Sequence, residues 1–246
     1  MQRDVKLTAK EVALTICFAA LYAVLSFFPL NQMIGLVGKA ITAATIIAPV
    51  VGILLGSYLG MLSTGLGGII ARFFNPIFSL PSLAAGIITA LCAGLLYAHK
   101  QILCALIYVS LMFLFGFYPV VGPVWLYSSF MWFQIVGFLI LISPLQSIAS
   151  KNFNSDSNLK LLFAFLVTSL TSTLAGQIAG SLTFELVYWP TLTNVETWTL
   201  NWRLLTWVYP IERTIIALIA TFIGVFLYKV LMSANLMPFS GRTKQS

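Results

Sequence analysis

The chain has 246 residues, 60% of them hydrophobic and 8% charged, with a net charge of +7. A soluble domain carries about 25% charged residues, so this composition excludes a soluble globular fold and places the chain in a bilayer. No polar stretch approaches the ~100 residues of a separate soluble domain, and the positive charge suits basic cytoplasmic loop ends better than nucleic acid. Residues 1–246 therefore read as one transmembrane domain, an all-α integral membrane protein built as a polytopic helical bundle.

The first eleven residues, MQRDVKLTAKE, carry Arg3, Lys6 and Lys10 and read as a cytoplasmic N-terminal segment. The apolar run 12–29 that follows exceeds a signal-peptide core of about 7 to 15 residues and is expected to stay as a helix. Further helices are expected over 41–55, 57–72, 82–98, 102–118, 124–147, 160–187 and 209–233. Cys17, Cys92 and Cys104 lie in apolar helices without CxxC spacing and read as small core residues.

The stretch 46–76, IIAPVVGILLGSYLGMLSTGLGGIIARFFNP, is apolar yet rich in helix weakeners. Read as two short helices reversing at Gly56-Ser57, it gives eight segments with both termini on one side. Arg3, Lys6, Lys10, Lys100, Lys151, Lys160, Lys229, Arg242 and Lys244 then share that side, and only Lys39, Arg72, Arg203 and Arg213 lie opposite. Read as one rod, it flips every later loop and the bias vanishes. The positive-inside rule favours the reversal, with both termini cytoplasmic, including the tail 234–246. Residues 41–55 would span only ~22 Å, short of a ~30 Å hydrocarbon core. Such interrupted segments point to binding cavities in transporters.

Gly52, Gly56, Gly60, Thr64 and Gly68 recur every four residues, a small-residue stripe that lets membrane helices approach closely. Ala175, Gly176, Ala179 and Gly180 form a second. At this point the chain resembles the substrate-capture S component of energy-coupling-factor (ECF) vitamin transporters. The likeness lies in ALTICFAALYAVL, then a loop, TIIAPVVGILLGSYLGMLSTGLGGII, and a Pro-Ser connection into LAAGIITALCAGLLY, clearest over residues 10–98. The resemblance implies a six-helix core, an outward vitamin site, a transmembrane coupling subunit met by an Ala-x-x-x-Ala pair (here Ala19 and Ala23), and ATPase subunits as further partners. The eight segments depart from it, giving an expected range of six to eight. Metal-carrying members usually begin Met-His, whereas this chain begins Met1-Gln2, so a metal substrate is disfavoured.

The outward side gathers Asn31, Gln32 and Lys39 in loop 30–40, Arg72 and Asn75 in loop 72–82, and Trp125 and Tyr127 after loop 118–124. The expected external loop 188–208 holds Trp189, Trp198, Trp202 and Trp207. Trp198, Trp202 and Leu205 share a face if it is helical. They would sit in a headgroup belt or serve as a lid stacking on a flat ligand, with Glu196, Asn201 and Arg203 supplying polar groups. In YPIER, Pro210 suits a first helical turn and Glu212 the positive helix end; Arg213 there needs a negative mate, for which Glu185 is the candidate. Lys229 is expected to snorkel.

There is no GxxxxGK[ST], GxSxG or HExxH, and His99 is the sole histidine. No enzyme activity, cofactor or resident metal is expected. The leading expectation is a capture subunit for a small vitamin-like molecule in the cell membrane, contacting it through Arg72, Asn75, Trp125, Trp202, Arg203, Glu212 and Arg213. The alternatives are a secondary transporter using Glu185, Glu212 and Arg213 for ion coupling, and a ligand-free membrane scaffold.

Overall fold

The structure, a computed structural model, describes residues 8–155 and 157–237. Arg3, Lys6, Arg242 and Lys244, and with them most of the two terminal segments, lie outside the described residues. Among the described residues the chain is a multi-pass helical membrane bundle with one small β-ribbon.

Helix α1 (Ala9–Leu25) opens on a capping box, in which the Thr8 side chain accepts from the Glu11 amide and the Glu11 carboxylate accepts from the Thr8 amide at 2.9 Å. Its buried face carries Phe18, Ala19, Tyr22 and Ala23, while Cys17, expected in the core, is exposed. The stretch expected as a plain loop after α1 instead forms two antiparallel strands, β1 (Pro29–Gln32) and β2 (Ala40–Thr42). β2 is buried and β1 exposed, so the ribbon stands with β2 against the bundle and β1 on its outer side.

Helical hydrogen bonding runs through α2 (Ala44–Phe74), but Gly56 breaks it at φ 82° and ψ 176°, a conformation that glycine adopts without steric cost. The chain reverses there. A Cβ placed on Gly60 would stand 2.9 Å from the Gly52 Cα, although a straight helix separates residues eight apart by about 12 Å. The two ends of α2 also meet, since the Ala40 amide donates to the Ile77 carbonyl at 3.3 Å. The arms 44–55 and 57–74 thus form the hairpin that the charge distribution favours.

Helix α3 (Leu80–Tyr97), capped by Ser79, lies in the hairpin's groove. A Cβ on Gly52 would strike the Ala90 carbonyl, and one on Gly94 would strike the Gly56–Ser57 peptide. Gly68 faces Leu83 of the same helix. Behind α3 runs α8 (Asn158–Tyr188), whose Gly176 leaves room for Thr89 and the Ala85 carbonyl and whose Gly180 abuts Pro81. Lipid tails give no hydrophobic drive between helices, so this backbone-to-backbone contact is what membrane packing rests on.

Helix α4 (Gln101–Gly116) climbs beside α8. The helix expected over 124–147 is broken into α5 (Pro123–Leu126), a 3-10 turn (Ser128–Met131), α6 (Trp132–Ile142) and α7 (Pro144–Asn152). The 3-10 turn and α6, taken together, meet α7 at a bend of 62°. Pro144 explains the break, because it cannot continue the ladder of the preceding helix. The Gln101 side chain donates to the freed Leu141 carbonyl at 2.6 Å.

The largest departure from expectation is α9 (Val195–Ser233), capped by Asn194. The segment expected as a loop to residue 208 is helical from Val195 onward, and Pro210 lies inside the helix rather than in its first turn. Pro210 has no N–H for the Thr206 carbonyl, and the Trp132 indole N–H, at 3.3 Å, takes its place. That compensation is why the helix continues.

The passes sort the chain into two ends. One end joins the Gly56–Ser57 turn, residues 97–100, 150–154 and 228–237, with the Lys10 ammonium donating to the Asn235 carbonyl. The other joins the ribbon, residues 75–81, 117–127 and the start of α9, where Trp202 donates to the Val121 carbonyl at 2.8 Å. Lys10, Lys100, Lys151, Lys160 and Lys229 lie at the first, basic end; Lys39, Arg72, Arg203 and Arg213 lie towards the second, tryptophan end. By length and hydropathy Ala44–Phe74, Leu80–Tyr97, Asn158–Tyr188 and Val195–Ser233 qualify as membrane spans, and the bent pair from Ser128 to Asn152 makes a fifth. Ala44–Phe74 meets that criterion only as an unbroken rod, which the reversal rules out.

Candidate functional site at the tryptophan end

A cavity of about 40 Å³ opens where the ribbon, α3, α8 and α9 converge. Its outer wall is Met33, Ile34 and Ile41 from the ribbon segment; its aromatic side is Phe184, Trp202 and Tyr209. The polar groups are Thr45, Ser82, Gln177, Ser181 and Arg213. Gly180 lies on the lining where α8 closes on Pro81 and Ala85 of α3, and Gly35, at φ 86°, turns the chain beside Phe184 and Asn201.

Arg213 is 5% exposed, and its Nε has no hydrogen-bond partner. Its Nη2 lies 3.1 Å from Glu212 Oε1, and its guanidinium stacks 5.4 Å from the centre of the Tyr209 ring one turn earlier. Glu212 in turn accepts from the Asn31 side chain at 3.5 Å, which ties α9 to β1. The expected pairing of Arg213 with Glu185 is therefore corrected: the mate is the adjacent Glu212, and neither carboxyl oxygen of the fully buried Glu185 has a hydrogen-bond partner. With Pro210 inside α9, Arg213 is also not a first-turn cation.

Trp198 and Trp202 do share a face with Leu205, but that face points into the bundle. Trp198 is fully buried, donates to the Leu192 carbonyl at 2.7 Å and packs on Phe184, so neither a headgroup belt nor an open lid describes it. Trp125, Trp132 and Trp207 are the exposed tryptophans of this end.

Of the seven expected contacts, the structure brings Trp202 and Arg213 to the cavity, with Glu212 beside them. Arg72 is exposed near the C-terminus of the hairpin. Asn75 is a buried strut, donating to the Ser26 carbonyl at 2.7 Å and accepting from the Ile77 amide. Trp125 leans edge-on against Phe117 at the surface, and Arg203 lies 5.7 Å over the Tyr127 ring. Ala19 and Ala23, expected to be an open docking pair, are buried; a Cβ on Gly67 would run into the Ala19 carbonyl. The hairpin already covers that face.

Sequence reasoning missed Gln177, Ser181 and Tyr209. The signal was present: Gln177 and Ser181 stand one turn apart on an apolar helix, and Gln177 is bonded to Gln134 and to Ser181. Buried polar side chains at membrane depth commonly mark functional interiors. No family model matches the chain, and no curated protein or solved structure matches it.

Proposed function

We propose that the chain is a membrane-embedded capture subunit for a small vitamin-like molecule with a flat apolar body and an anionic group. It takes the ligand from outside at the tryptophan end and delivers it inward with an ATP-driven coupling partner. The observation that carries this reading is the buried Arg213, with an unpartnered Nε, on a cavity walled by Phe184, Trp202 and Tyr209. An anion completes that guanidinium, and the rings accept a planar body. The likeness of residues 10–98 to ECF S components supports the same class. On this reading all eight helical passes serve as membrane segments in the cell membrane, and the basic end, with both termini, is cytoplasmic.

The cavity holds about three waters, well below the ~300 Å³ of a small-molecule site. Capture therefore requires Met33, Ile34 and the segment between the strands to move outward, which would break the Asn31–Glu212 contact between β1 and α9.

Native mass spectrometry of the gently purified full chain tests the reading. A retained small acid is expected. Arg213→Ala should weaken its binding by about 10- to 100-fold, the worth of a charged hydrogen bond, with Arg213→Lys in between; unchanged affinity in Arg213→Ala overturns it. Glu185 favours a second reading. A buried carboxyl with both oxygens unbonded suits a secondary transporter with ion coupling. Uptake by vesicles lacking any ATPase, abolished by Glu185→Gln, would establish that reading instead.

A further inference from the structure

The basic end holds a second and larger cavity, about 650 Å³. The Gly56–Ser57 turn and the last turn of α3 bound one side. Tyr97, Phe153 and Tyr228 line another as an aromatic cluster, with ring centres 5.1 Å apart for Tyr97 and Phe153 and 6.4 Å for Phe153 and Tyr228. The cluster is fixed, since the Tyr228 hydroxyl donates to the Phe153 carbonyl at 3.2 Å.

Two cationic or cation-forming side chains stand on the lining, His99 and Lys100. The turn that presents them is held firmly: His99 sits at φ 58°, and the Lys100 amide donates to the Leu95 carbonyl at 2.8 Å. Lys10 reaches the Asn235 carbonyl on the same lining. No aspartate or glutamate lines the cavity among the described residues. The volume lies inside the ~300–1,000 Å³ range of small-molecule sites, and the single sign of charge raises the local concentration of anions.

An aromatic wall beside a cation thus occurs at both ends of the bundle, on unrelated residues. We propose that the basic-end cavity is a second binding site for the same chemical class as the outer one, a flat aromatic molecule carrying an anionic group. Tyr97, Phe153 and Tyr228 take the body, and Lys100 with His99 takes the charge. The ligand class rests on the outer-site reading; the cavity, its aromatic wall and its charge do not.

Photolabelling of the purified full chain with 4-benzoylbenzoate, compared with uncharged 4-methylbenzophenone, tests it. Benzophenones insert preferentially at methionine, and each cavity carries reporters: Met33 outside, and Met232 with the buried Met237, on one tryptic peptide, at the basic end. The acid should label both peptides more than the neutral probe does. Lys100→Glu should cut Met232 labelling by the acid by about fivefold or more and leave Met33 labelling unchanged, which also shows the variant folded; Lys100→Arg should behave as the parent. Equal labelling of Met232 by both probes, or labelling by the acid indifferent to Lys100→Glu, overturns the proposal. Loss of Met33 labelling alone overturns the outer-site reading and leaves this one standing; labelling of Met33 alone does the reverse.

Discussion

At the scale of single residues, the glycines divide by what a methyl group would meet. Gly52 faces backbone, the Ala90 carbonyl, which cannot rotate away, whereas a Cβ on Gly65 would meet nothing nearer than 3.7 Å, the tip of Ile87. Gly52→Ala should cost about 1–3 kcal/mol by overpacking, and Gly65→Ala should be neutral or stabilising by up to about 1 kcal/mol because alanine is the better helix former. Thermal unfolding in detergent checks the pair. Comparable losses from both would mean the stripe is not the packing seam. The buried Ala19 argues similarly: Ala19→Trp should lower stability and ligand retention together, while Ile16→Trp on the exposed face of α1 should leave both intact. Selective loss of uptake from Ala19→Trp would restore the docking role expected from the family resemblance.

At the scale of elements, α9 depends on a bond from outside itself. The Trp132 indole N–H satisfies the carbonyl that Pro210 orphans. Trp132→Phe should cost about 0.5–1.5 kcal/mol for that bond. In a Pro210→Ala background, where the substituted alanine supplies an intrahelical N–H, the same change should cost less. A double-mutant cycle on melting temperature measures the coupling; strict additivity would remove the compensation argument. The sequence already carried the two facts involved, a proline and a tryptophan, but not their meeting. The indole and the Thr206 carbonyl it serves are 74 residues apart in chain order, and only the packing of the 3-10 turn that leads into α6 against α9 places the indole at the proline's gap.

At the scale of the whole molecule, the hairpin decides which end each loop occupies. In a cysteine-free background, Thr193→Cys and Arg72→Cys should react with an impermeant maleimide added outside intact cells, while Ser57→Cys and Asn154→Cys should react only after permeabilisation. Outside labelling of position 57 together with 72 or of neither would overturn the proposed eight-pass arrangement. Much of this arrangement was legible beforehand. The surplus of lysine on one set of loops is a composition effect that survives any error of a few residues in helix ends, and the Gly-x-x-x-Gly spacing marks close approach wherever the chain is helical.

The site was legible only in fragments. Trp202 stood out as an aromatic of the expected external loop and Arg213 as a cation at membrane depth, yet Arg72, Asn75, Trp125 and Arg203 shared the same end without reaching the cavity. Membership of an end follows from chain topology; membership of a cavity requires side-chain directions. By itself the sequence determined that this is a helical membrane bundle and favoured, without fixing it, a reversal at Gly56-Ser57 that sorts the loops by charge, because hydropathy and charge sidedness are properties of short segments; the break at Gly56 itself is a tertiary finding. Only the tertiary structure decided that the tryptophan segment is the first half of a long helix turned inward, that Arg213 pairs with Glu212, and that Gln177 and Ser181 join them. Those outcomes depend on which distant carbonyls, rings and backbones come within about 3–6 Å of one another, a relation that no local spacing encodes.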